Sequence, residues 1–233
     1  ENIRIKFLGL SEVKKISLSF LESLIRNISG GLGQRVRYHY YKNRFHSCGS
    51  NVKIDEGVIF QNPENMEFGS DIWFMPYSII TAAPKWHQII DRDLKKKINH
   101  SFNREIGVLK IGSEVQIGAF NILQGYGGLE IMDRVTTSAR VSIYSHSHYP
   151  FDEKNKSKIT YANAMIKGAP ISCIESPIVI EDGVWLGLGV SVFSGTLGEN
   201  SFITAGSIVL SDIEKNSYAS GNPAIKNKNR FEM

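Results

Sequence analysis

Cysteine is nearly absent from this chain: two thiols, Cys48 and Cys173, stand among 233 residues. Two cysteines do not make a disulfide framework, and neither lies in a Cys-x-x-Cys or Cys/His pattern of metal-ligand spacing. A reducing cytoplasm is therefore the expected setting, and no metal is expected. Long apolar runs are missing as well, since none approaches the twenty residues that span a bilayer. No charged-then-apolar signal peptide heads the sequence. Residue 1 is Glu rather than Met, in keeping with removal of a start residue or short leader. Charge of one sign is scarce: the net value is +4, with 42% hydrophobic and 21% charged residues. Those totals describe an ordinary globular chain, long enough for one sizeable core or for one core plus a small appendage.

What basic excess there is gathers at Arg35, Arg37, Lys42 and Arg44, beside Tyr38, Tyr40 and Tyr41. A basic helix packed on its aromatic side accounts for this better than contact with RNA or anionic lipid, and no nucleic-acid partner is expected. Just before it, Ile16, Phe20, Leu24 and Ile28 recur every fourth residue, with Lys14, Lys15, Glu22 and Arg26 between. This spacing predicts an amphipathic helix over 11–28, with Ser11 as N-cap. Ser29-Gly30-Gly31-Leu32-Gly33 ends it, and a second helix is predicted over 34–46. Both helices are expected to pack on the body or on a partner subunit, with at most peripheral contact to the inner membrane face.

After Gly49 the period changes to six. The triplets are Phe68, Phe74, Ile80; Ile111, Ile117, Leu123; Ile131, Thr137, Ile143; Ile180, Leu186, Val192; and Leu197, Ile203, Val209. A helix would show a period of 3.6 and an antiparallel sandwich a period of two. Six-residue steps, three to a coil, instead build a triangular prism with one inward aliphatic residue per face. Gly, Asn and Asp suit its corners. The expectation is an all-β solenoid, a parallel β-helix over 48–212, preceded by a helical segment over 1–47 and followed by a tail over 213–233. Two interruptions, about 82–106 and 146–176, are expected as loops on the outside. Ile180 to Leu197 is one residue short of a full coil, which predicts a tightened corner near Phe193-Ser194-Gly195.

The stretches Ile180-Glu-Asp-Gly-Val-Trp-Leu-Gly, Ala205-Gly-Ser-Ile-Val and Ala219-Ser-Gly-Asn-Pro-Ala224 resemble the hexapeptide-repeat acyltransferases. Within them the chain is most similar to sugar O-acetyltransferases of the maltose and galactoside type. It is similar also to the colanic-acid, O-antigen and capsule acetyltransferases of bacteria. The resemblance covers roughly residues 33 to 230 and implies a left-handed β-helix, a homotrimer, and acetyl-CoA bound between subunits. Relatives carry a catalytic histidine where a coil ends, in a pattern like Ile-Tyr-Thr-x-Thr-His-Pro. Here Ile143-Tyr144-Ser145-His146-Ser147-His148-Tyr149-Pro150 puts His148 at that position, with His146 the second choice and Tyr149 inserted before Pro150.

The chemistry asks for such a group. A sugar hydroxyl is a poor nucleophile until a base takes its proton, and imidazole does this near neutral pH. No Ser or Cys lies in a nucleophile motif, so transfer directly from the thioester is expected. Trp185 matches the family's cofactor-groove tryptophan, and Ala205, Gly206 and Ser207 match the small residues beside the pantetheine arm. The nucleotide end departs from the pattern at Leu210-Ser211 and Ile225, leaving Lys226, Lys228 and Arg230 as candidates for the phosphates. Gly118 replaces the family's acceptor-binding Asn, so the sugar or glycan acceptor falls to Trp86, His87, Tyr149 and Asp152 on the two loops. A lipid-linked or polymeric acceptor suits those loops. Two other readings stand beside this one: N-acetylation of an amino sugar, and a β-helical scaffold that has lost catalysis.

Overall fold

A backbone that turns every few residues leaves edge N–H and C=O groups on each short step, and only a neighbouring coil can satisfy them. The computed structural model, which describes residues 10–84, 93–96, 107–149 and 172–232, satisfies them by stacking. Two helices come first, α1 (Leu10–Arg26) and α2 (Gly30–Lys42). The first coil is β1 (Ser47–Cys48), β2 (Lys53–Ile54) and β3 (Ile59–Gln61); the second is β4 (Met66–Phe68), β5 (Trp73–Phe74) and β6 (Ile79–Ala82). After β7 (Asp93–Lys96), the third coil is β8 (Leu109–Ile111), β9 (Gln116–Ile117) and β10 (Ile122–Gly125). The fourth is β11 (Leu129–Ile131), β12 (Thr136–Thr137) and β13 (Ser142–Tyr144), followed by β14 (His146–Tyr149) and β15 (Ser172–Glu175). The fifth is β16 (Ile178–Ile180), β17 (Trp185–Leu186) and β18 (Ser191–Val192); the sixth is β19 (Gly195–Leu197), β20 (Phe202–Ile203) and β21 (Ile208–Val209). A hairpin of β22 (Ser217–Gly221) and β23 (Ala224–Asn229) closes the chain.

Three sheets result, one per prism face. The first face stacks β1-β4-β8-β11-β16-β19, the second β2-β5-β9-β12-β17-β20-β22-β23, and the third β3-β6-β10-β13-β18-β21. Neighbours pair in parallel except at the closing hairpin, so residues 217–229 extend the second face. All fifteen residues of the sequence triplets point inward, the most exposed being Phe68 at 4%. A further inward column, Cys48, Ile54 and Phe60, lies below them and was not part of the sequence pattern. Even the polar member is satisfied: Thr137 Oγ1 accepts the Gly118 N–H at 3.0 Å and the Asn121 side-chain amide. Asn121 in turn accepts the Val141 N–H at 2.8 Å, which gives this corner residue a structural role.

Chain length varies at one corner, between the third and first faces. Phe60 to Phe68 and Leu123 to Ile131 take eight steps there, whereas Val192 to Leu197 takes five. The tight corner is the one expected, and it needs Gly195, whose φ is +100° and whose Cβ would come within 2.5 Å of the Ser211 carbonyl carbon. Both excursions leave from this same corner, in the second and fourth coils, after β6 and β13. The opposite turn, between the second and third faces, holds Tyr77 and Phe120 at φ +61° and +58°. Bulky residues seldom adopt that conformation, and here the two rings stack at 5.3 Å.

The N-terminal end of the prism is capped by α2, whose Tyr41 meets Phe60, with Phe45 between Phe60 and Phe68. Gly33 lets the helix cross closely, since a Cβ there would lie 1.8 Å from the Ile28 carbonyl oxygen. Arg37 makes the joint. Fully buried, its guanidinium donates to the carbonyls of Ile54, Ile25, Arg26 and Ile28. Two of these acceptors, Ile25 and Arg26, end α1, where carbonyls lack intrahelical partners, and Ile28 follows just beyond it. Of the expected packing on the body or on a partner subunit, α2 packs on the body throughout and α1 does so in part. Ile25 is buried, but Phe20, Leu24 and Ile28 of the predicted apolar face are exposed. Replacing Arg37 by Leu leaves two buried and two part-buried carbonyls without this donor. Urea unfolding is expected to show a loss of about 2–4 kcal/mol.

Candidate active site

The third strand of the fourth coil ends at Tyr144, and the chain bends out at Ser145. The root of this excursion is tied shut. The Ser176 N–H donates to the Ser145 carbonyl at 2.8 Å, and Ser145 Oγ donates to the Gln124 carbonyl at 2.9 Å. The first excursion closes in the same way, through the Ala83 N–H and the Gly107 carbonyl at 3.1 Å. Beyond these roots the two excursions meet. Strand β14 pairs antiparallel with β15, and β15 pairs in parallel with β7, giving a three-stranded sheet outside the prism.

That sheet carries the candidate histidines. Two residues apart on one strand, His146 and His148 share a face, with ring centroids 5.9 Å apart. Across the ladder, His146 stands opposite Glu175 and His148 opposite Cys173. His148 is exposed, and its Nδ1 lies 3.9 Å from the sulfur of Cys173, which is itself 1% exposed. His146 is buried against Tyr126, with centroids at 5.8 Å, and its backbone N–H donates to Gln124 Oε1 at 3.0 Å. Burial pushes the Tyr126 hydroxyl pKa up. A groove of about 320 Å³ opens here, lined by Gln124, Tyr144, His146, Ser147, His148 and Phe193. Tyr144 stacks on Phe193 of the next coil, 6.3 Å away, and forms one wall.

The other predicted residues occupy a different part of the prism. Trp185 is outward on the second face, 45% exposed, with Nε1 donating to Ser138 Oγ at 3.3 Å. Phe202 and Tyr218 continue its column, with centroid steps of 5.7 and 5.5 Å. Lys228 lies over the Tyr218 ring, and Lys226 pairs with Glu214 at 2.9 Å. Arg230 turns inward and donates to the Asn200 carbonyl at 2.9 Å, a structural contact. Ala205 and Gly206 form the turn between the second and third faces, and a Cβ on Gly206 would meet nothing within 4 Å. Ser207 is buried and accepts the Gly221 N–H at 3.2 Å. Trp185 and His148 therefore belong to opposite parts of the prism, a face and the corner facing it, and one chain does not bring them together. Tyr149 ends β14, and Trp86, His87 and Asp152 lie outside the described residues.

Three groove residues escaped the sequence reading, Gln124, Tyr144 and Phe193, as did Cys173 behind His148. The first three had a signal, because each directly follows an inward residue of the six-residue pattern and so points out from the third face in three successive coils. Cys173 had none, because its place depends on strand pairing across 25 residues. Among the described residues, no group of three or more His, Cys, Asp or Glu side chains is placed to hold a metal ion.

Comparison with known proteins places this geometry. No family profile matches the chain. A Saccharomyces cerevisiae protein named as a candidate acetyltransferase is 39% identical over 95 residues, 40% of this chain and 41% of that protein. The galactoside O-acetyltransferase of Lactococcus lactis is 49% identical over 49 residues, 21% of this chain and 24% of that enzyme. The chain thus spans about two fifths or less of the length of these curated relatives. Among solved structures, the N-acyltransferase AntD from Bacillus cereus, in complex with dTDP and 3-hydroxybutyryl-CoA, superposes with a TM-score of 0.63. Identity is 20%, over 83% of this chain and 87% of that one. A maltose O-acetyltransferase from Clostridium difficile gives 0.51 at 21% identity, over 95% of this chain and 89% of that one. The resemblance to the hexapeptide-repeat acyltransferases is upheld, and with it the left-handed parallel β-helix.

The thiol behind His148 is inaccessible in the folded chain. Ellman's reagent is expected to modify half-buried Cys48 slowly in native protein, the more slowly because burial raises that thiol's pKa. The Cys48 rate should rise with pH as thiolate forms. Cys173 should react about a thousandfold faster once the chain is unfolded.

Proposed function

We propose that this chain, a hexapeptide-repeat β-helix by sequence likeness and by fold, moves an acetyl group from acetyl-CoA to a hydroxyl of a sugar or surface-glycan intermediate. One observation carries the reading: an exposed His148, backed by a buried Cys173, stands at a groove where the coil ends. With Nδ1 turned to the Cys173 sulfur, Nε2 is the ring nitrogen presented to a substrate. Nε2 takes the proton of the acceptor hydroxyl as its oxygen bonds to the thioester carbonyl carbon. The tetrahedral intermediate collapses by breaking the C–S bond, and the imidazolium returns the proton to the departing CoA sulfur. No acyl-enzyme is formed, because the Cys173 sulfur beside the histidine is buried and cannot meet a thioester.

The donor lies along the wall made by Trp185 and by the open backbone of Ala205 and Gly206, with Lys226 and Lys228 toward the nucleotide phosphates. Since Trp185 and His148 occupy opposite parts of one prism, the working unit is a homotrimer in which one copy's wall faces the next copy's histidine. The acceptor is held by Gln124, Tyr144 and Phe193 at the groove, with Trp86, His87, Tyr149 and Asp152 from the excursions. Aromatic faces suit sugar rings, and the length of the excursions suits a lipid-linked or polymeric glycan.

Incubation with acetyl-CoA and a panel of glycans is expected to release free CoA and give esters that alkali removes. Alkali-stable products would replace this reading by N-acetylation of an amino sugar. His148→Ala should lower kcat by about 10²–10⁴ with an unchanged circular dichroism spectrum, since the side chain is exposed. A fully active variant would overturn the mechanism. Millimolar acetyl-CoA should raise Tm by mass action, and the absence of any shift would favour a β-helical scaffold without catalysis.

A further inference from the structure

Helix α1 is amphipathic, yet it does not put its apolar face on the body. The side that packs carries Ile25, with Glu22 and Arg26 half-buried beside it. Glu22 is held there by the Tyr40 hydroxyl at 3.0 Å and by Arg44 at 3.2 Å. The apolar side faces out. Phe20 is 66% exposed, Leu21 41%, Leu24 57% and Ile28 36%, and Leu32 at the start of α2 adds 70%. A contiguous apolar stripe of this kind on a fixed helix marks a surface with an occupant. It is no accident of a loose terminus, because buried Arg37 clamps the carbonyls of Ile25 and Arg26 at the end of α1 and of Ile28 just beyond it.

Charge identifies the occupant. On α2, Leu32 is followed along one exposed face by Arg35, His39 and Lys42. Residues 1–46 hold nine Lys and Arg against three Asp and Glu, whereas residues 47–233 hold eighteen against twenty. The whole positive excess of the protein therefore belongs to the segment that presents the stripe. A second copy docking through the same patch would bring two such basic segments together. An anionic lipid surface instead takes both features at once, accepting the apolar side chains at the headgroup boundary and the cations among its phosphates.

We propose that α1 and the exposed face of α2 form a docking surface for an anionic lipid bilayer, on which the protein lies peripherally. Among the described residues no helix is long and apolar enough to cross a membrane, so the attachment is interfacial. It stands apart from the acyl-transfer reading and holds whether or not the groove is catalytic.

Flotation of the full chain with phosphatidylcholine vesicles, with and without phosphatidylglycerol, tests this directly. At low salt the protein is expected to float with the anionic vesicles and to stay behind with the neutral ones. At about 1 M salt, where screening shortens to roughly 3 Å, the binding should largely vanish. Phe20→Ser with Leu24→Ser should lower partitioning roughly hundredfold, and Arg35→Ser with Lys42→Ser roughly thirtyfold. Both double variants alter exposed side chains, so an unchanged Tm certifies the fold. Failure of the folded wild-type protein to float overturns the proposal, as does undiminished flotation of the Phe20/Leu24 variant. A fall in mass by sedimentation velocity in that variant, without wild-type flotation, assigns the stripe to a second copy instead.

Discussion

Every coil of this prism must offer its N–H and C=O groups to the coils above and below in register, and the rest of the molecule follows from that demand. A residue added within a face would shift each later inward side chain and break the ladder, so faces keep their length. Corners are free to change. The chain uses one corner for nearly all its variation: eight steps in the first and third coils, an excursion in the second and fourth, and five steps in the fifth. The candidate site lies at that corner for the same reason, since it is where side chains can be added without disturbing the stack.

Much of this was legible in the residues. The inward set is legible because a prism face repeats one apolar position every six residues, and a buried Thr137 breaks the chemistry without breaking the spacing. The limits of the excursions are legible because the pattern stops at Ile80 and Ile143 and restarts at Ile111 and Ile180. The first coil was harder to see, with Cys48 standing where an aliphatic residue was sought. Three other features lay beyond a linear reading. The sheet of β7, β14 and β15 depends on pairing between segments of two different excursions. The Cys173 sulfur beside His148 is a product of that pairing. The outward turn of α1 depends on Arg37, since an apolar stripe in a sequence does not say which of its neighbours will cover it.

The site combines a rigid part and an added part. Gln124, Tyr144 and Phe193 are outward residues of three successive coils, so their spacing is that of the ladder itself. His148 is carried by the outer sheet, whose place is fixed by the closed roots at Ser145–Ser176 and Ala83–Gly107. The second face supplies a separate surface, a column of Trp185, Phe202 and Tyr218 edged by the lysines of β23. Each prism thus displays two unlike surfaces, one at a corner and one on the face across from it.

The pairing of β7 with β15 has a consequence for the order in which the molecule is put together. Strand β7 departs from the second coil, and β14 and β15 from the fourth, so the third coil must be seated before they can meet. The outer sheet is complete only when everything from Asp93 to Glu175 has been laid down in sequence. Contacts at such separation form late in folding. A partly wound chain therefore lacks the complete outer sheet, and the docking of β15 on β7 reports that the winding between them is done.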